Sequence, residues 1–394
     1  MALTLAGVMA LSAVGCGDTG SEKTDSAATS KTEEKATDTA ATTDTAASDI
    51  KSLNDGKLVI WTLANDLVSF CERFQEQTGV EVETVVIEPA NYPTKVQTAL
   101  LGGETEPDII VGEPQMLEDF YDAGFFEDLN QFGAQDYADQ IVDYVWDVGQ
   151  DADGIQRAIS YQITPAGFYY RRDIAKEVFG TDDPTEVGKL FADYTTILET
   201  AQTLKDAGYR IFASDAESFN AATEGYETTQ VFAYGLPAWG VLTMRDNVGE
   251  TSGSWGVCAG PAYGFGGGTY IGVSSQSERK ETAWEFVKFC TLNEETANWW
   301  IEFSEGDTVS LIPALEAHKD DANEVYGGQK LYAFWLEQAK GIDYSKVTRY
   351  DKAIGDAWGN AISAIKTGEK TKEEAVAEFY DVVESTYPEI TVNR

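Results

Sequence analysis

From Lys57 onward the chain alternates between two apolar rhythms. KLVIWTLA is a continuous apolar run of strand length, and Leu67, Phe70, Cys71 and Phe74 then fall at i, i+3, i+4 and i+7, one helical face stopped by Gly79. VEVETVVIE alternates with period two, YPTKVQTALLGG returns to helical spacing, and PDIIVGE is strand-like again. A βαβαβ order of this kind predicts an α/β fold with a mostly parallel sheet covered by helices.

The rhythm resumes after a break. Asp153-Gly154 suits a tight hairpin turn, and the nearby Asp147, Asp151 and Asp153 lack the ligand spacing and distal glutamate of an EF-hand loop. Ala158 to Gln162 are expected to make a first crossing between lobes, with Tyr161 at a cleft. A second helix set opens at Asp183-Pro184, with Tyr194, Ile197, Leu198 and Ala201 as its expected inner face, Gly208 as stop and YRIFAS as the next strand. Ala283, Phe286, Val287 and Cys290 mark the core side of a later helix, with Ser275 and Glu278 spaced as a capping box. Thr371 and Glu374 repeat that spacing ahead of a stripe of Val376, Phe379, Tyr380 and Val383.

Upstream of Lys57 this patterning is absent. Residues 17–49 contain no aromatic residue and no Leu, Ile, Val or Met, so nothing there offsets the entropy of ordering, and a disordered tether over 17–54 is expected. The preceding MALTLAGVMALSAVGC is too short to span a bilayer as a mature helix and reads as the apolar part of a secretory signal. Its end resembles a bacterial lipobox with Cys16 as the lipidated residue, although Ala13 replaces the preferred leucine and no Lys or Arg precedes Lys23.

Composition narrows the function. At 394 residues and 43% hydrophobic, the chain can bury more than one core, which favours two lobes. A net charge of −39 repels phosphate backbones and anionic lipid headgroups, which argues against nucleic acid and peripheral membrane binding.

The most suggestive chemistry lies between Tyr234 and Ser274, where Trp239, Tyr263, Phe265 and Tyr270 are set among glycines. Large rings on glycine-rich loops suit a cleft whose ligand has flat apolar faces and polar edges, as sugars do. The competing reading is that these rings are ordinary core on two strands.

Enzyme readings find less support. His318 is the only histidine, so a Ser-His-Asp triad or a Cys/His zinc cluster would depend on one residue in a charged loop. GFGGG precedes a strand and so departs from a nucleotide loop. The Phe168-Tyr169-Tyr170 run falls in a strand whose neighbours are core. Glycoside hydrolysis stays open, because it needs only two carboxylates in an aromatic cleft and the chain has 67 Asp and Glu. Cys71, Cys258 and Cys290 are expected as buried free thiols, with a Cys258–Cys290 bridge left open.

Taken as an ordered set, KLVIWT, ALLGGETEPDIIVGEP, ISYQITPAGFYYRRDIA, AYGLPAWG and GSWGVCAGP…GGGTYIGVSS…TAWEFVKFC resemble the extracellular solute-binding proteins of family 1, related to maltose-binding protein. The similarity runs from about Lys57 to Pro388. It implies a two-lobed periplasmic-binding-protein fold of type II, each lobe a mostly parallel sheet covered by helices, with hinge crossings. The N-terminal lobe is expected from 55–160 and 263–310, and the C-terminal lobe from 161–262 and 311–394.

The resemblance implies capture of a sugar, an oligosaccharide, in the cleft and delivery to an ABC importer permease. Another small solute (an amino acid, a polyamine or a metal) is the alternative. Carried over by position, it puts Trp61, Asn65 and Glu113 at the rim of the N-terminal lobe and Tyr161 on the hinge. Trp239 becomes the stacking platform, Tyr263, Phe265 and Tyr270 flank the second crossing, and Asp351 stands in a late turn. No cofactor is implied. The expected protein is a monomer anchored by lipid at the outer face of the cytoplasmic membrane. The segment from Phe212 to Val231 is compressed beside the family, which predicts missing elements in the second lobe.

Overall fold

In the computed structural model the described residues are 56–212, 230–348 and 350–394. The signal-like segment with Cys16, the tether and residues 213–229 of the compressed segment lie outside the described residues.

The first βαβαβ run forms as its rhythm predicts. Strand β1 (Leu58–Thr62), helix α1 (Leu67–Thr78), β2 (Val82–Val86), α2 (Tyr92–Leu101) and β3 (Ile109–Gly112) follow in order. Leu67, Phe70, Cys71 and Phe74 are all buried on α1, and Gly79 closes it in a left-handed conformation at φ 74°. That φ is cheap only for glycine. β1 pairs in parallel with both β2 and β3.

Helix α3 (Pro114–Asp122) leaves the end of β3, and α4 (Asp143–Val148) precedes the turn at Asp153-Gly154. There Asp151 Oδ1 accepts from the amides of Asp153 and Ile155, both at 3.0 Å, and Oδ2 accepts from Arg157 Nε at 2.7 Å. These bonds employ the carboxylate in shaping the turn. β4 (Ile159–Ser160) then closes one edge of a five-stranded sheet, order β2-β1-β3-β8-β4, in which β8 (Tyr270–Val273) runs against β3 and β4.

A second sheet has the order β6-β5-β7, from β5 (Ala166–Arg171), β6 (Ala233–Pro237) and β7 (Trp255–Cys258). Here the expectation of a mostly parallel sheet is corrected. β5 is antiparallel to both neighbours, and the only parallel addition among the described residues is a bridge from Arg210 to Val231.

The crossings explain why. Pro165 and Phe265 bridge antiparallel, Ala166 N donates to Gly264 O at 2.8 Å and Gly266 N to Thr164 O at 3.1 Å. Two connections zipped antiparallel impose that sense on the strands they continue, β4 with β8 and β5 with β7. The first crossing therefore spans 161–165, slightly later than expected, because Ile159 and Ser160 still pair with β8.

Helices α5 (Arg172–Phe179), α6 (Pro184–Gly188) and α7 (Tyr194–Asp206) cover the second sheet. Asp183 caps α6 through the amides of Thr185 and Glu186. On α7 the expected inner face is only partly right: Tyr194 and Leu198 are 80% and 71% exposed, whereas Thr200 and Leu204 are buried. Thr200 Oγ1 donates to Leu190 O at 3.0 Å, and that bond turns the helix so that Ile197 and Leu204 pack inward.

After α8 (Gly240–Asn247), α9 (Lys280–Thr291) and α10 (Glu294–Ser304) return to the first sheet, where Phe74 meets Phe286 and Phe289 with ring centres 5.2 Å apart. The expected Ser275/Glu278 capping box does not form, since Ser275 Oγ donates to Gly124 O at 2.7 Å and α9 begins at Lys280.

A third connection, 305–311, leads to α11 (Ile312–His318) and α12 (Leu331–Lys340), and Gln329 bonds both the amide and the carbonyl of Val257 on β7. The chain ends in a hairpin of α13 (Asp351–Lys366) and α14 (Lys372–Thr386), whose Thr371/Glu374 capping box is present. The three cysteines beyond the N-terminal region are free and buried, Cys258 in the second sheet and Cys290 on α9.

Candidate functional site

In open α/β sheets ligands bind beyond the carboxyl ends of the strands, and both sheets present predicted site residues there. At the first sheet Trp61 lies near the end of β1, Asn65 in the exposed turn after it, and Glu113 between β3 and α3. A residue that the sequence reading passed over fixes them. Tyr92 is fully buried, and its hydroxyl donates to Trp61 O at 3.0 Å while accepting from Val111 N at 2.9 Å. One phenol thus ties the ends of the two strands that carry Trp61 and Glu113.

Lys95 Nζ sits 4.5 Å from the Trp61 ring centre, so one face of that ring meets a cation. Glu113 is half-buried and hydrogen-bonded to Gln115. Burial raises its carboxyl above the usual range, against a smaller lowering by that bond.

At the second sheet Trp239 follows β6 at the start of α8. Its Nε1 donates to Gly266 O at 3.0 Å, pinning the indole to the second crossing. Gly267, at φ +74°, lies within 3.5 Å of that nitrogen at its Cβ position, so the glycine run lets backbone and indole approach closely. Phe265 stacks obliquely with Tyr144 at 5.1 Å and lies 6.2 Å from Tyr344. The Asp351 carboxylate acts on Tyr344, as do Glu118 and Asp147, although burial is the main reason its phenol titrates high. Asp351 is exposed and accepts from Thr348 Oγ1 at 2.6 Å.

The remaining residues are placed differently. Tyr263 is 59% exposed, with its ring lying directly over Gly341. Tyr270 and Tyr161 are core residues, 1% and 2% exposed, so neither offers a free ring face in this arrangement. Tyr161 packs on Phe70 at 4.8 Å and donates from its hydroxyl to Asp66 Oδ2 at 2.8 Å. Asp66, one residue after the predicted Asn65, escaped the sequence reading because helix-start acids are common and nothing local marks this one.

The structure therefore groups Trp61, Asn65 and Glu113 on one sheet, and Trp239 with Phe265 beside the second crossing. Among the described residues no cluster of three or more His, Cys, Asp or Glu is arranged to hold a metal ion. His318 is occupied by Asp321 at 2.6 Å and Asn298 at 3.1 Å.

Comparison with known families decides what this arrangement belongs to. Residues 61–297 match the family described as Bacterial extracellular solute-binding protein. The chain belongs to that family. No curated protein sequence matches it. Among solved structures it is similar to an extracellular solute-binding protein of family 1, at 18% identity and TM-score 0.67, covering 83% of this chain and 98% of that one.

A second similar structure is the ABC-transporter-associated binding protein of B. animalis subsp. lactis Bl-04 in complex with beta-1,6-galactobiose. Its identity is 17% and its TM-score 0.65, with 84% and 98% of the two chains covered. A third is the GacH receptor of Streptomyces glaucescens, solved with acarbose, at 16% identity and TM-score 0.64 over 85% and 99%. At these identities the likeness establishes a shared fold of two-lobed binding proteins. Family membership makes the chain an extracellular solute-binding protein. Among the described residues no helix is long and apolar enough to cross a membrane.

Proposed function

We propose that this family member captures an oligosaccharide between its two sheets and delivers it to an ABC importer permease. The observation that carries the reading is Trp239, an indole anchored by its own N–H to the Gly266 carbonyl of the second crossing. The indole is partly exposed beside that crossing, where in this reading a ring face would stack on the sugar. Trp61, Asn65 and Glu113 on the opposite sheet supply a second ring and polar edges, the combination a pyranose needs. Similar structures named for galactobiose and acarbose complexes support the ligand class.

In this reading the first sheet, with 55–160 and 263–310, and the second, with 161–262 and 311–394, are the two lobes. A solute touching both stabilises the closed state by its differential affinity for that state. Lipidation at Cys16 would hold the monomer at the outer face of the membrane, and no cofactor is required.

The test separates binding from chemistry. Tryptophan fluorescence titrated with linear di- and trisaccharides is expected to saturate without release of reducing sugar. Reducing ends accumulating from a polysaccharide would make the protein a glycoside hydrolase instead. Saturation by an amino acid, a polyamine or a metal ion, with none by sugars, would reassign the solute.

A further inference from the structure

The third connection carries a buried acid that the binding site does not use. Asp307 has no exposed surface, and its carboxylate accepts from Trp300 Nε1 at 3.1 Å and from Thr308 N at 2.8 Å. The segment it opens is stitched to the first crossing. Ser310 N donates to Tyr161 O at 2.8 Å, Thr308 Oγ1 to Ile163 O at 2.6 Å and Ser310 Oγ to Ser160 O at 2.5 Å. These bonds tie the third connection to the first crossing and the end of β4.

The groups facing Asp307 are acidic or neutral. From the start of α1 comes Asp66, held by the Tyr161 hydroxyl of the first crossing. From β5 comes Tyr169, from α12 Tyr332 and from α10 Trp300. The packed rings of Phe70, Tyr161 and Trp300, with centres 4.7 to 5.8 Å apart, join the two carboxylates into one cluster. Arg245, which donates to Ser304 O at 2.6 Å, directs its charge to Asp246 and Glu305. No cation is bonded to either acid among the described residues.

We infer that Asp307 is a proton-operated latch of the hinge: it is protonated while the crossings are packed as seen here, and its ionisation beside Asp66 loosens them. Burial first, and the Asp66 carboxylate second, raise its carboxyl to about 7. A solvated aspartate in a loosened hinge would titrate near 3.9. The sign follows: the packed arrangement binds the proton more tightly, so it is favoured at lower pH and disfavoured as pH rises toward 7. With full coupling, each pH unit in that window shifts the packed-to-loosened equilibrium up to tenfold.

The inference rests on the two-lobed reading but not on the solute, so its test uses the protein without ligand. Small-angle X-ray scattering and tryptophan fluorescence are followed from pH 5.5 to 8.5. The parent is expected to expand and to change emission through neutral pH, and Asp307→Asn to keep the low-pH values throughout. Asp66→Asn is expected to titrate at lower pH than the parent. A parent whose scattering stays constant, or an Asp307→Asn protein that titrates like the parent, overturns the latch. Where Asp307→Asn does not fold, an unchanged midpoint in Asp66→Asn overturns it equally, while a failed sugar screen leaves this test intact.

Discussion

The first sheet and the C-terminal helical hairpin are both built from well-patterned sequence, yet they are held by different means. Asp108, with no exposed surface, joins three parts of the first sheet's layer. Its Oδ2 accepts from Val59 N at 2.8 Å, its Oδ1 from Ser277 Oγ at 2.6 Å and, at 3.4 Å, from Arg279, and its carbonyl accepts from Ser274 N at 2.9 Å. Among the described residues the hairpin shows no comparable buried carboxylate. Only Ala361 is buried on α13 and only Ala375 and Val383 on α14, while Trp358 remains 43% exposed against Phe379. A clean apolar stripe thus shows that a helix forms, not how deeply it is built in.

The contrast breaks most visibly at Asp108. Asp108→Ala leaves an amide, a hydroxyl and a guanidinium without their buried acceptor, and a loss of about 3–5 kcal/mol is expected in urea unfolding. Tyr92→Phe keeps the packing but removes the hydroxyl between Trp61 O and Val111 N, costing about 1–3 kcal/mol in the same assay. On the hairpin, Trp358→Ala should cost only about 1 kcal/mol, mainly its edge contact with Phe379 at 5.1 Å. A loss as large as that of Asp108→Ala would show the hairpin to be as integral as the sheet.

The smallest effect sharpens the site. Glu113 holds its proton more tightly when folded, so its contribution to stability is full below the ordinary glutamate range and declines as pH rises through its raised value. Thermal midpoints measured from pH 4 to 7 should decline less steeply in Glu113→Gln than in the parent.

Much of the fold was legible because single residues carry unambiguous local signals. The i, i+3, i+4, i+7 spacing of Leu67 to Phe74 with Gly79, and the Thr371/Glu374 box, are satisfied within one element and need no partner. What failed to show depended on distant pairing. The antiparallel second sheet follows from the zip of Pro165 with Phe265, 100 residues apart, and the rotation of α7 from a hydroxyl bond to Leu190. Of the candidate site, the glycine-flanked rings and the strand-end polar residues are the part that stands out in the sequence. Tyr92 and Asp66 stayed hidden because their roles arise from hydrogen bonds to Trp61, Val111 and Tyr161 that no local pattern encodes.

The most direct test of sugar capture is a thermal-shift screen of the parent and Trp239→Ala against mono- and oligosaccharides, with amino acids, polyamines and metal ions alongside. A solute at a hundredfold over its Kd should add about 2.7 kcal/mol of stability to the parent. The account predicts a clear rise in Tm with one class of oligosaccharide that Trp239→Ala loses. A parent that ignores every sugar, or a Trp239→Ala protein that responds as strongly as the parent, would contradict it.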